Sequence, residues 1–340
     1  MSRTRVGLVG CGRIGRNLVR ILDRRSDLEI AAIQDRAEPE QLEYLLKFDT
    51  LLGRFPEPIR LEGDALVIGG RRIALLPSDD EVPDWRALGV DVVVLAVGRR
   101  AARSEAEAHL AHGAARVLLC TPLAEPPDVT IVVGVNDRAL HAEHRIVSAG
   151  SVTANCAAPV LATLDAAFGL ERVFLTAVHA YSNQLRLADV PADDMRTGRA
   201  AAENIIPQPT GAGELIGELI PGLAGRISAL SMNVPVPNGS VVDLVCWHRD
   251  AVTIDGINAA VNHAAEGDLY GIIDYETEPI VSSDVIRTTG SGTFDSLSTM
   301  VLDGHVSKTL TFYDNGWGYS HRVVDLMRRL ATFAGEEARR

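Results

Sequence analysis

Three glycines near the start of the chain constrain its fold more than any other feature. They follow a short apolar run, residues 6–9, and precede residues 14–22, whose apolar side chains recur at helical spacing. The order Gly10-Cys-Gly12-Arg-Ile-Gly15 gives the G-x-G-x-x-G spacing between a strand and a helix. These glycines allow a tight turn and let a pyrophosphate approach the backbone at the helix N-terminus. The pattern therefore predicts the first βα unit of a dinucleotide-binding domain.

An acid after the second apolar run strengthens that interpretation. Residues 28–33 have strand character and are followed by Gln34 and Asp35. A carboxylate at this spacing from Gly15 can accept hydrogen bonds from the adenosine ribose, and it would repel a 2′-phosphate. We therefore predict NAD as the cofactor, with NADP as the less favoured alternative. The adjacent Arg36 opposes that preference, because a basic side chain can support a 2′-phosphate.

The apolar pattern predicts an α/β first half and an α+β second half. Residues 90–97 and 116–119 are apolar runs that suit buried parallel strands, and residues 101–112 between them have helical character. After Ser151 the pattern changes to a long helix over residues 154–168 and to β-rich segments such as 241–247 and 307–313. Residues 320–333 carry apolar side chains at helical spacing, with Ser320 as the expected N-cap.

Composition and charge exclude several classes of function. The chain of 340 residues has a net charge of -12, which disfavours nucleic acid and anionic membrane surfaces as partners. The apolar runs are too short to span a bilayer, and the first residues carry no secretory signal, so we expect a cytoplasmic protein. The cysteines form no C-x-x-C pair, and neither a disulfide framework nor a metal site is expected. These cysteines are Cys11, Cys120, Cys156 and Cys246.

Several further segments resemble one enzyme family in its order and at its spacings. They are SVTANC at residues 151–156, VHAYS at 178–182, NIIPQPTGA at 204–212, NGSVVD at 238–243 and YDNGWGYS at 313–320. With the glycine motif, they make the chain resemble the phosphorylating glyceraldehyde-3-phosphate dehydrogenase family over almost its whole length.

The resemblance implies an α/β fold in three parts and a homotetramer. Residues 1–151 would form a Rossmann NAD-binding domain, and residues 152–317 an α+β catalytic-type domain with a mostly antiparallel mixed sheet. Residues 318–340 would form a C-terminal helix that packs back on the first domain. Asn315 falls where the family's asparagine holds the nicotinamide carboxamide, although asparagine is also common in turns. The full implied cofactor set is Gly10, Gly12, Arg13, Ile14, Gly15, Asp35, Arg36, Gly98, Cys120 and Asn315.

The sequence departs from the family at the position of the nucleophile. The family's chemistry needs a cysteine thiolate at a helix start, where the dipole and a nearby histidine lower the thiol pKa. Val152 stands at that position and has no lone pair, so no acyl-enzyme can form there. Cys156, one helical turn further on, is better explained as a buried structural cysteine. Whether Cys120, near the nicotinamide by alignment, is reactive stays open.

A second departure concerns the substrate. The family's arginine for the substrate C3 phosphate is replaced by Asn233, and a neutral amide lacks the charge-assisted fork of a guanidinium. Ser182 keeps the hydroxyl of the family's threonine beside it. Gln184 stands where many bacterial members have aspartate.

The family's other anion pocket is matched better, and its histidine is retained as His179. Hydroxyls at a helix N-terminus can hold a phosphate, sulfate or carboxylate, and helix capping is the alternative explanation for the same hydroxyls. The resemblance implies that His179 is the general base beside the nicotinamide. The matching anion ligands are Ser151, Thr153, Thr210 and Gly211, with Arg199 at a basic position.

Two hypotheses of different classes follow. In the first, the chain is an NAD-dependent dehydrogenase or reductase of a small, anionic carbonyl or alcohol, with His179 as acid and base and no thioester. In the second, it is a non-catalytic NAD-binding protein with an accessory or regulatory role. A minor third option is deliberate replacement of the cysteine to trap a complex.

Overall fold

The computed structural model describes residues 3–77 and 81–337. The chain forms two compact units, which are described separately. The first unit contains Met1–Ile131, Asp137–Ser151 and Ser320–Arg340, and the second contains Val132–Asn136 and Val152–Tyr319.

The first unit is an α/β unit. Its strands are β1 (Thr4–Val9), β2 (Leu28–Asp35), β3 (Phe48–Asp49), β4 (Gly53–Arg54), β5 (Ile59–Glu62), β6 (Ala65–Ile68), β7 (Arg71–Pro77), β8 (Val92–Leu95), β9 (Arg116–Leu119), β10 (Val129–Thr130) and β11 (Ile146–Ser148). Its helices are α1 (Arg13–Asp23), α2 (Pro39–Lys47) and α3 (Arg103–Ala111).

These strands form, within the described residues, a nine-stranded sheet in the order β10-β11-β9-β8-β1-β2-β7-β6-β5 and a separate β3–β4 ribbon. Neighbours from β10 to β7 are parallel, whereas β6 is antiparallel to β7 and to β5. The central strands are apolar because the sheet is covered on both faces. Leu8, Ile33, Val93 and Leu118 accordingly have no exposed surface.

The second unit is built around a longer and mainly antiparallel sheet. Its strands are β12 (Leu170–Ala180), β13 (Ile206–Pro209), β14 (Ile227–Val234), β15 (Ser240–His248), β16 (Ile273–Glu276), β17 (Gly292–Leu302) and β18 (Val306–Tyr313). Its helices are α4 (Val152–Phe168), α5 (Ala212–Leu219) and α6 (Ile254–Glu266).

The seven-stranded sheet of the described second unit has the order β13-β14-β12-β15-β18-β17-β16. The β12–β14 and β16–β17 pairs are parallel and the other pairs are antiparallel. Helix α4 is lined by small buried side chains, among them Ala154, Ala157 and Ala158, so the sheet and its neighbouring helices can approach it closely. The predicted fold class, with a mostly antiparallel mixed sheet in the second unit, is confirmed.

The last helix, α7 (Trp317–Glu337), begins earlier than the sequence pattern suggested. Ser320 is therefore inside the helix, and its predicted role as the N-cap is wrong. The carboxylate of Asp314 accepts hydrogen bonds from the backbone N–H groups of Gly316 and Trp317 instead. From Ser320 onwards the helix belongs to the first unit, where Arg328 forms an ion pair with Asp27.

None of the helices in the described part of the chain has the length and hydropathy that a membrane-spanning segment requires.

Candidate functional site

The turn between β1 and α1 requires glycine at two of its three glycine positions. Gly10 has a φ of 93°, and a Cβ there would lie 2.6 Å from the carbonyl oxygen of Ala96. A Cβ on Gly15 would lie 2.3 Å from the carbonyl oxygen of Gly10. Both distances are far inside van der Waals contact. These two glycines therefore shape the turn itself.

Gly12 serves a different purpose, because nothing lies within 4 Å of the position that its Cβ would occupy. It is the N-cap of α1 and contributes no side-chain hydrogen bond, and Arg13 and Ile14 open the first helical turn. The first N–H groups of a helix carry partial positive charge and can donate to an anion. The open space beside Gly12 therefore fits a dinucleotide pyrophosphate.

Asp35, at the end of β2, accepts hydrogen bonds that hold the glycine turn between β1 and α1. Its Oδ2 accepts the backbone N–H of Cys11 at 2.6 Å, and its Oδ1 accepts that of Ala37 at 2.8 Å. A carboxylate oxygen has a second lone pair, so each oxygen can still accept a hydrogen bond from a ribose hydroxyl. Asp35 thus stabilises the glycine turn and remains competent to bind the adenosine ribose.

A cleft of 650 Å³ opens beside this carboxylate in the first unit. Its lining includes Gly10, Asp35, Arg36, Arg99, Glu105 and His109. Arg99 donates to both carboxylate oxygens of Glu105, at 3.0 and 2.6 Å, which lowers the pKa of Glu105. Arg36, by contrast, is exposed and has no ion-pair partner within the described residues. A phosphate could therefore bind the Arg36 guanidinium without breaking an ion pair, whereas binding to Arg99 would compete with Glu105.

Two further predicted cofactor residues follow neighbouring strands of the same sheet. Gly98 lies after β8 with a φ of 67°. Cys120 follows β9 directly, is half-buried, and donates its backbone N–H to the carbonyl of Leu95 at 2.9 Å. Carboxyl ends of parallel strands are where open α/β sheets bind ligands. Both positions therefore fit the predicted cofactor role.

In the second unit, α4 begins at Val152, which is half-buried. The nearest cysteine in this helix is Cys156, whose side chain is fully buried and donates to the carbonyl of Thr311 at a sulfur–oxygen distance of 3.7 Å. Burial raises the pKa of the Cys156 thiol, so it stays protonated and unreactive near neutral pH. The interpretation of Cys156 as a structural residue agrees with this environment.

His179 lies near the end of β12 and is half-buried. Its Nδ1 is 2.6 Å from the carbonyl oxygen of Ala180. Because a carbonyl can only accept a hydrogen bond, Nδ1 carries the proton and Nε2 is the basic nitrogen of the neutral ring. The ring of Tyr313 meets the imidazole edge-on, with 6.1 Å between centroids. These contacts fix both the orientation of the ring and its tautomer.

Tyr313 connects the histidine to the start of α4. Its side chain has no exposed surface, and its hydroxyl is 3.3 Å from Oγ1 of Thr153. Burial raises the pKa of Tyr313, so the phenol is neutral. The contacts of Tyr313 with His179 and Thr153 depend on how the strands of the sheet are paired, and the sequence motif alone did not reveal them.

Asn315 is held by a chain of side-chain hydrogen bonds. The hydroxyl of Ser240 accepts the backbone N–H of Ala180 at 2.9 Å and donates to Oδ1 of Asn315 at 3.1 Å. Oδ1 is thereby used as an acceptor, and Nδ2 is the group that Asn315 can offer to a ligand. The same serine thus links the backbone next to His179 to the amide of Asn315.

Asp314 anchors the segment that carries Asn315. This buried carboxylate accepts from Nδ2 of Asn238 at 2.9 Å and from the backbone N–H of Arg287 at 2.8 Å, in addition to the two N–H groups at the start of α7. Asn238 also accepts the backbone N–H of Asn315 at 3.2 Å. Neither Asp314 nor Ser240 was singled out from the sequence. An acid just before a helical pattern is the signal that could have identified Asp314.

The predicted anion ligands are partly engaged within the protein. Oγ1 of Thr210 accepts the backbone N–H of Ala212 at the start of α5 at 3.3 Å, which is the capping alternative. Oγ of Ser182 accepts the N–H of Gln184 at 3.4 Å.

The charges near these ligands are balanced as well. Arg199 is exposed and ion-paired with Asp189 at 3.1 Å. A Cβ on Gly211 would lie 4.0 Å from a carboxylate oxygen of Glu214. Arg199 is thus neutralised by Asp189, and a carboxylate lies close to Gly211.

Asn233 lies directly opposite His179 in the parallel pairing of β12 and β14. It is 7% exposed, and its Nδ2 donates to Oε1 of Gln208 on β13 at 2.9 Å. The structure therefore brings Asn233 next to the predicted base. Gln208 was not recognised from the sequence, because the cross-strand contact is not visible in local spacing.

Within the described residues, no group of three or more histidine, cysteine, aspartate or glutamate side chains is arranged to hold a metal ion.

Comparison with known proteins matches both parts of the chain to one family. Residues 4–103 match the family model "Glyceraldehyde 3-phosphate dehydrogenase, NAD binding domain", and residues 151–315 match "Glyceraldehyde 3-phosphate dehydrogenase, C-terminal domain". The chain is 43% identical to glyceraldehyde-3-phosphate dehydrogenase of Geobacillus stearothermophilus over 330 residues, which cover 96% of this chain and 98% of the relative.

Two Streptomyces proteins give similar values. Glyceraldehyde-3-phosphate dehydrogenase 2 of Streptomyces avermitilis is 44% identical over 326 residues, covering 95% of this chain and 97% of the relative. The enzyme of Streptomyces coelicolor is 44% identical over 327 residues, with the same coverage. The cofactor is NAD, as predicted. The chain belongs to the glyceraldehyde-3-phosphate dehydrogenase family of NAD-binding oxidoreductases.

Proposed function

We propose that this chain is an NAD-dependent dehydrogenase or reductase that acts on a small carbonyl or alcohol without forming a thioester. The observation that carries the proposal is the pairing of an oriented histidine with a nucleophile-free helix start. His179 is fixed through Nδ1 to the Ala180 carbonyl, while the first residue of α4 is Val152. An acid–base reaction needs an oriented histidine and does not need a cysteine at the start of α4.

In this reaction, His179 exchanges the proton of the substrate oxygen. On oxidation of an alcohol, Nε2 accepts the hydroxyl proton as the hydrogen on carbon leaves with its electron pair, and on reduction the imidazolium returns that proton. The bound NAD supplies the acceptor for that hydride, or the hydride itself when reduced. Oδ1 of Asn315 accepts a hydrogen bond from Ser240. Asn315 would therefore orient the nicotinamide carboxamide by donating from Nδ2.

The side chains around Val152 support the absence of covalent catalysis. Val152 offers no nucleophilic atom. Cys156 is buried and protonated. The hydroxyl of Thr153 is 3.3 Å from the neutral phenol of Tyr313, which is not a base near neutral pH, and a hydroxyl without an adjacent base is a poor nucleophile.

An anionic substrate remains a prediction for the helix start. Ser151 and Thr153 stand at the N-terminus of α4, where hydroxyls and the helix dipole favour a negative group. The alternative function, a non-catalytic NAD-binding protein, gains support from the anion ligands that serve as caps or are neutralised, namely Thr210 and Arg199. Turnover separates the two functions.

A homotetramer is part of the proposal. The face of the second sheet opposite buried Val173 and Leu175 exposes Phe174 (56%) and Leu230 (41%). Large exposed apolar side chains grouped on a sheet face are typical of protein interfaces. Sedimentation velocity of the purified protein tests this, and a monomer at micromolar concentration would contradict it.

The proposed reaction is tested with NADH and a panel of small aldehydes and ketones, both phosphorylated and uncharged, by following absorbance at 340 nm. We expect turnover by the wild-type protein, and a loss of about 100-fold or more in His179→Gln, since acid–base groups contribute roughly 10²–10⁴-fold. The exposed His141, substituted by Gln, is the matched control. Absence of turnover with every carbonyl would overturn the proposal.

A second readout concerns the thioester. Intact-mass measurement during aldehyde oxidation should show no acyl adduct on the wild-type protein, and Val152→Cys tests whether a thiol at that position gains one. An adduct on the wild-type chain would contradict the proposed mechanism.

A further inference from the structure

Two neutral amides lie beside His179 on the second sheet. Asn233 and His179 are register partners on parallel strands, so their side chains project from the same face. Asn233 donates from Nδ2 to Oε1 of Gln208 at 2.9 Å, and Gln208 lies on the next strand, β13. Because Asn233 is only 7% exposed and is held by this bond, the amide pair has a fixed position next to the proposed acid–base group.

The hydrogen bond between the two amides leaves a matched acceptor and donor. Oδ1 of Asn233 can accept and Nε2 of Gln208 can donate, and the bond between the two amides uses neither of these atoms. A hydroxyl or a primary amide both donates and accepts, so it can satisfy both atoms. A phosphate or ionised carboxylate only accepts, and it would leave Oδ1 of Asn233 facing a negative group without a hydrogen bond.

The surrounding charges also disfavour an anion at the amide pair. The two strands that carry the pair, Ile206–Pro209 and Ile227–Val234, contain no charged residue. Taking a phosphate out of water beside strands that supply no cation is unfavourable.

From these observations we infer that the Asn233–Gln208 pair is a specificity subsite, which selects an uncharged substrate end with a hydroxyl or amide group over a phosphorylated or carboxylated end. The inference rests on the proposed function, because it names the substrate class of that reaction. It concerns the end of the substrate at β13 and β14, and is separate from the predicted anion position at the start of α4.

Steady-state kinetics with a matched pair of substrates tests the inference. D-glyceraldehyde and D-glyceraldehyde 3-phosphate differ only in the phosphate, and kcat/KM for reduction by NADH is measured for each. Leaving one buried polar group unpaired costs about 1–3 kcal/mol, and about 1.4 kcal/mol corresponds to tenfold. We therefore expect the wild-type protein to favour D-glyceraldehyde by roughly 10-fold or more. A preference for the phosphorylated aldehyde would overturn the inference.

Two arginine variants separate a local effect from a general change in charge. Asn233→Arg places a guanidinium in the amide pair and should move the preference toward the phosphorylated aldehyde. Asn262→Arg adds the same charge on α6, where Nδ2 of the half-buried Asn262 donates to Glu266, and should keep the wild-type ratio. If the two variants behave alike, Asn233 does not determine specificity.

A binding measurement keeps the inference testable if turnover fails. Glycerol and glycerol 3-phosphate are titrated by ligand-observed NMR into the protein with NADH, where an alcohol cannot react. We expect glycerol to bind and its binding to be lost in Asn233→Leu, with circular dichroism confirming that this variant is folded. Binding without turnover would overturn the proposed function and retain the subsite, whereas no binding of glycerol, or equal binding to both proteins, would overturn the subsite.

Discussion

Ser240 donates its hydroxyl hydrogen to Oδ1 of Asn315 at 3.1 Å, and this contact determines which atom of the amide remains for a ligand. The same hydroxyl accepts the backbone N–H of Ala180, one residue after His179. The two residues that the proposed function uses most, His179 and Asn315, are therefore positioned by one shared serine. Sequence spacing places them more than a hundred residues apart.

Substitution of Ser240 by alanine should destabilise the second unit. The change leaves the buried N–H of Ala180 without its acceptor, and an unsatisfied buried donor costs about 1–3 kcal/mol. The free energy of unfolding in urea measures the effect. Ser283→Ala in an exposed turn of the second unit is the control and should change stability by less than about 0.5 kcal/mol. Equal effects of the two substitutions would show that the Ser240 bonds contribute nothing.

Alanine at Gly12 and at Gly15 should have opposite consequences for folding and binding. Gly12 has a φ of -68° and open space at its Cβ position, so Gly12→Ala should fold with wild-type stability but weaken NAD binding by obstructing the pyrophosphate. Gly15→Ala forces a Cβ onto the Gly10 carbonyl oxygen and should destabilise the fold by roughly 1–3 kcal/mol. Thermal unfolding and a fluorescence titration with NADH measure the two effects. Full NADH affinity in Gly12→Ala would contradict the placement of the pyrophosphate.

Alkylation should modify at most one cysteine in the folded protein. Burial raises the pKa of Cys11 and of Cys246 to about 12, and it raises that of Cys156 as well. These thiols therefore stay protonated and inaccessible at pH 8, which leaves Cys120. Iodoacetamide treatment followed by peptide mass spectrometry should label all four cysteines in urea and none of the three buried ones before unfolding. Rapid labelling of Cys156 in the folded protein would show that its thiol is accessible and reactive, which contradicts its assignment as a structural cysteine.

The stability of the first unit should fall below pH 6.5 because of His109. Trp85 donates from Nε1 to Nδ1 of His109 at 2.9 Å, and burial lowers the pKa of this histidine to about 4. Between the unfolded pKa of 6.5 and the folded value of about 4, the unfolded chain binds the extra proton. Stabilisation by neutral His109 is therefore complete above pH 6.5 and declines as the pH falls toward 4.

Urea unfolding at pH 7.5 and pH 5 measures this loss, for which linkage gives about 2 kcal/mol from His109. His248 and His321 also have pKa values lowered by burial, so the comparison with His109→Gln isolates one residue. Gln can accept the same hydrogen bond from Trp85 but does not titrate. An unchanged pH dependence in this variant would exclude His109 as the cause.

Local pattern predicted several elements of both units. The strand at residues 116–119 coincides with β9, and the helix predicted over 154–168 matches α4 apart from its first two residues. These segments were accessible because buried parallel strands and an Ala-rich helix have strong apolar periodicity. The start of α7 was misplaced since Asp314, and not Ser320, supplies the cap. The residue at which a helix begins depends on single side-chain contacts, and the periodicity of apolar residues does not predict these.

Cross-strand contacts could not be read from the sequence in the same way. The pairing of His179 with Asn233 and the bond from Asn233 to Gln208 both depend on the register of strands that are far apart along the chain. Resemblance to a family located Asn233 but gave no reason to notice Gln208. The electrostatic environment of the anion ligands was equally hidden, because the Arg199–Asp189 ion pair forms within a loop.

The choice between NAD and NADP should depend on the neighbouring side chains Asp35 and Arg36. Asp35 keeps acceptor capacity for the ribose hydroxyls while it holds the turn, and its charge would repel a 2′-phosphate. Asp35→Asn removes that charge and should weaken NADH binding while the ratio of NADPH to NADH affinity rises.

Arg36→Ala should instead lower NADPH affinity more than NADH affinity, because Arg36 is the guanidinium of the cleft lining without an ion-pair partner in the described chain. Dissociation constants for both dinucleotides, measured by fluorescence at one salt concentration, test the pair of variants. If Arg36→Ala changes both affinities equally, the guanidinium has no part in phosphate discrimination, and the carboxylate alone sets the preference.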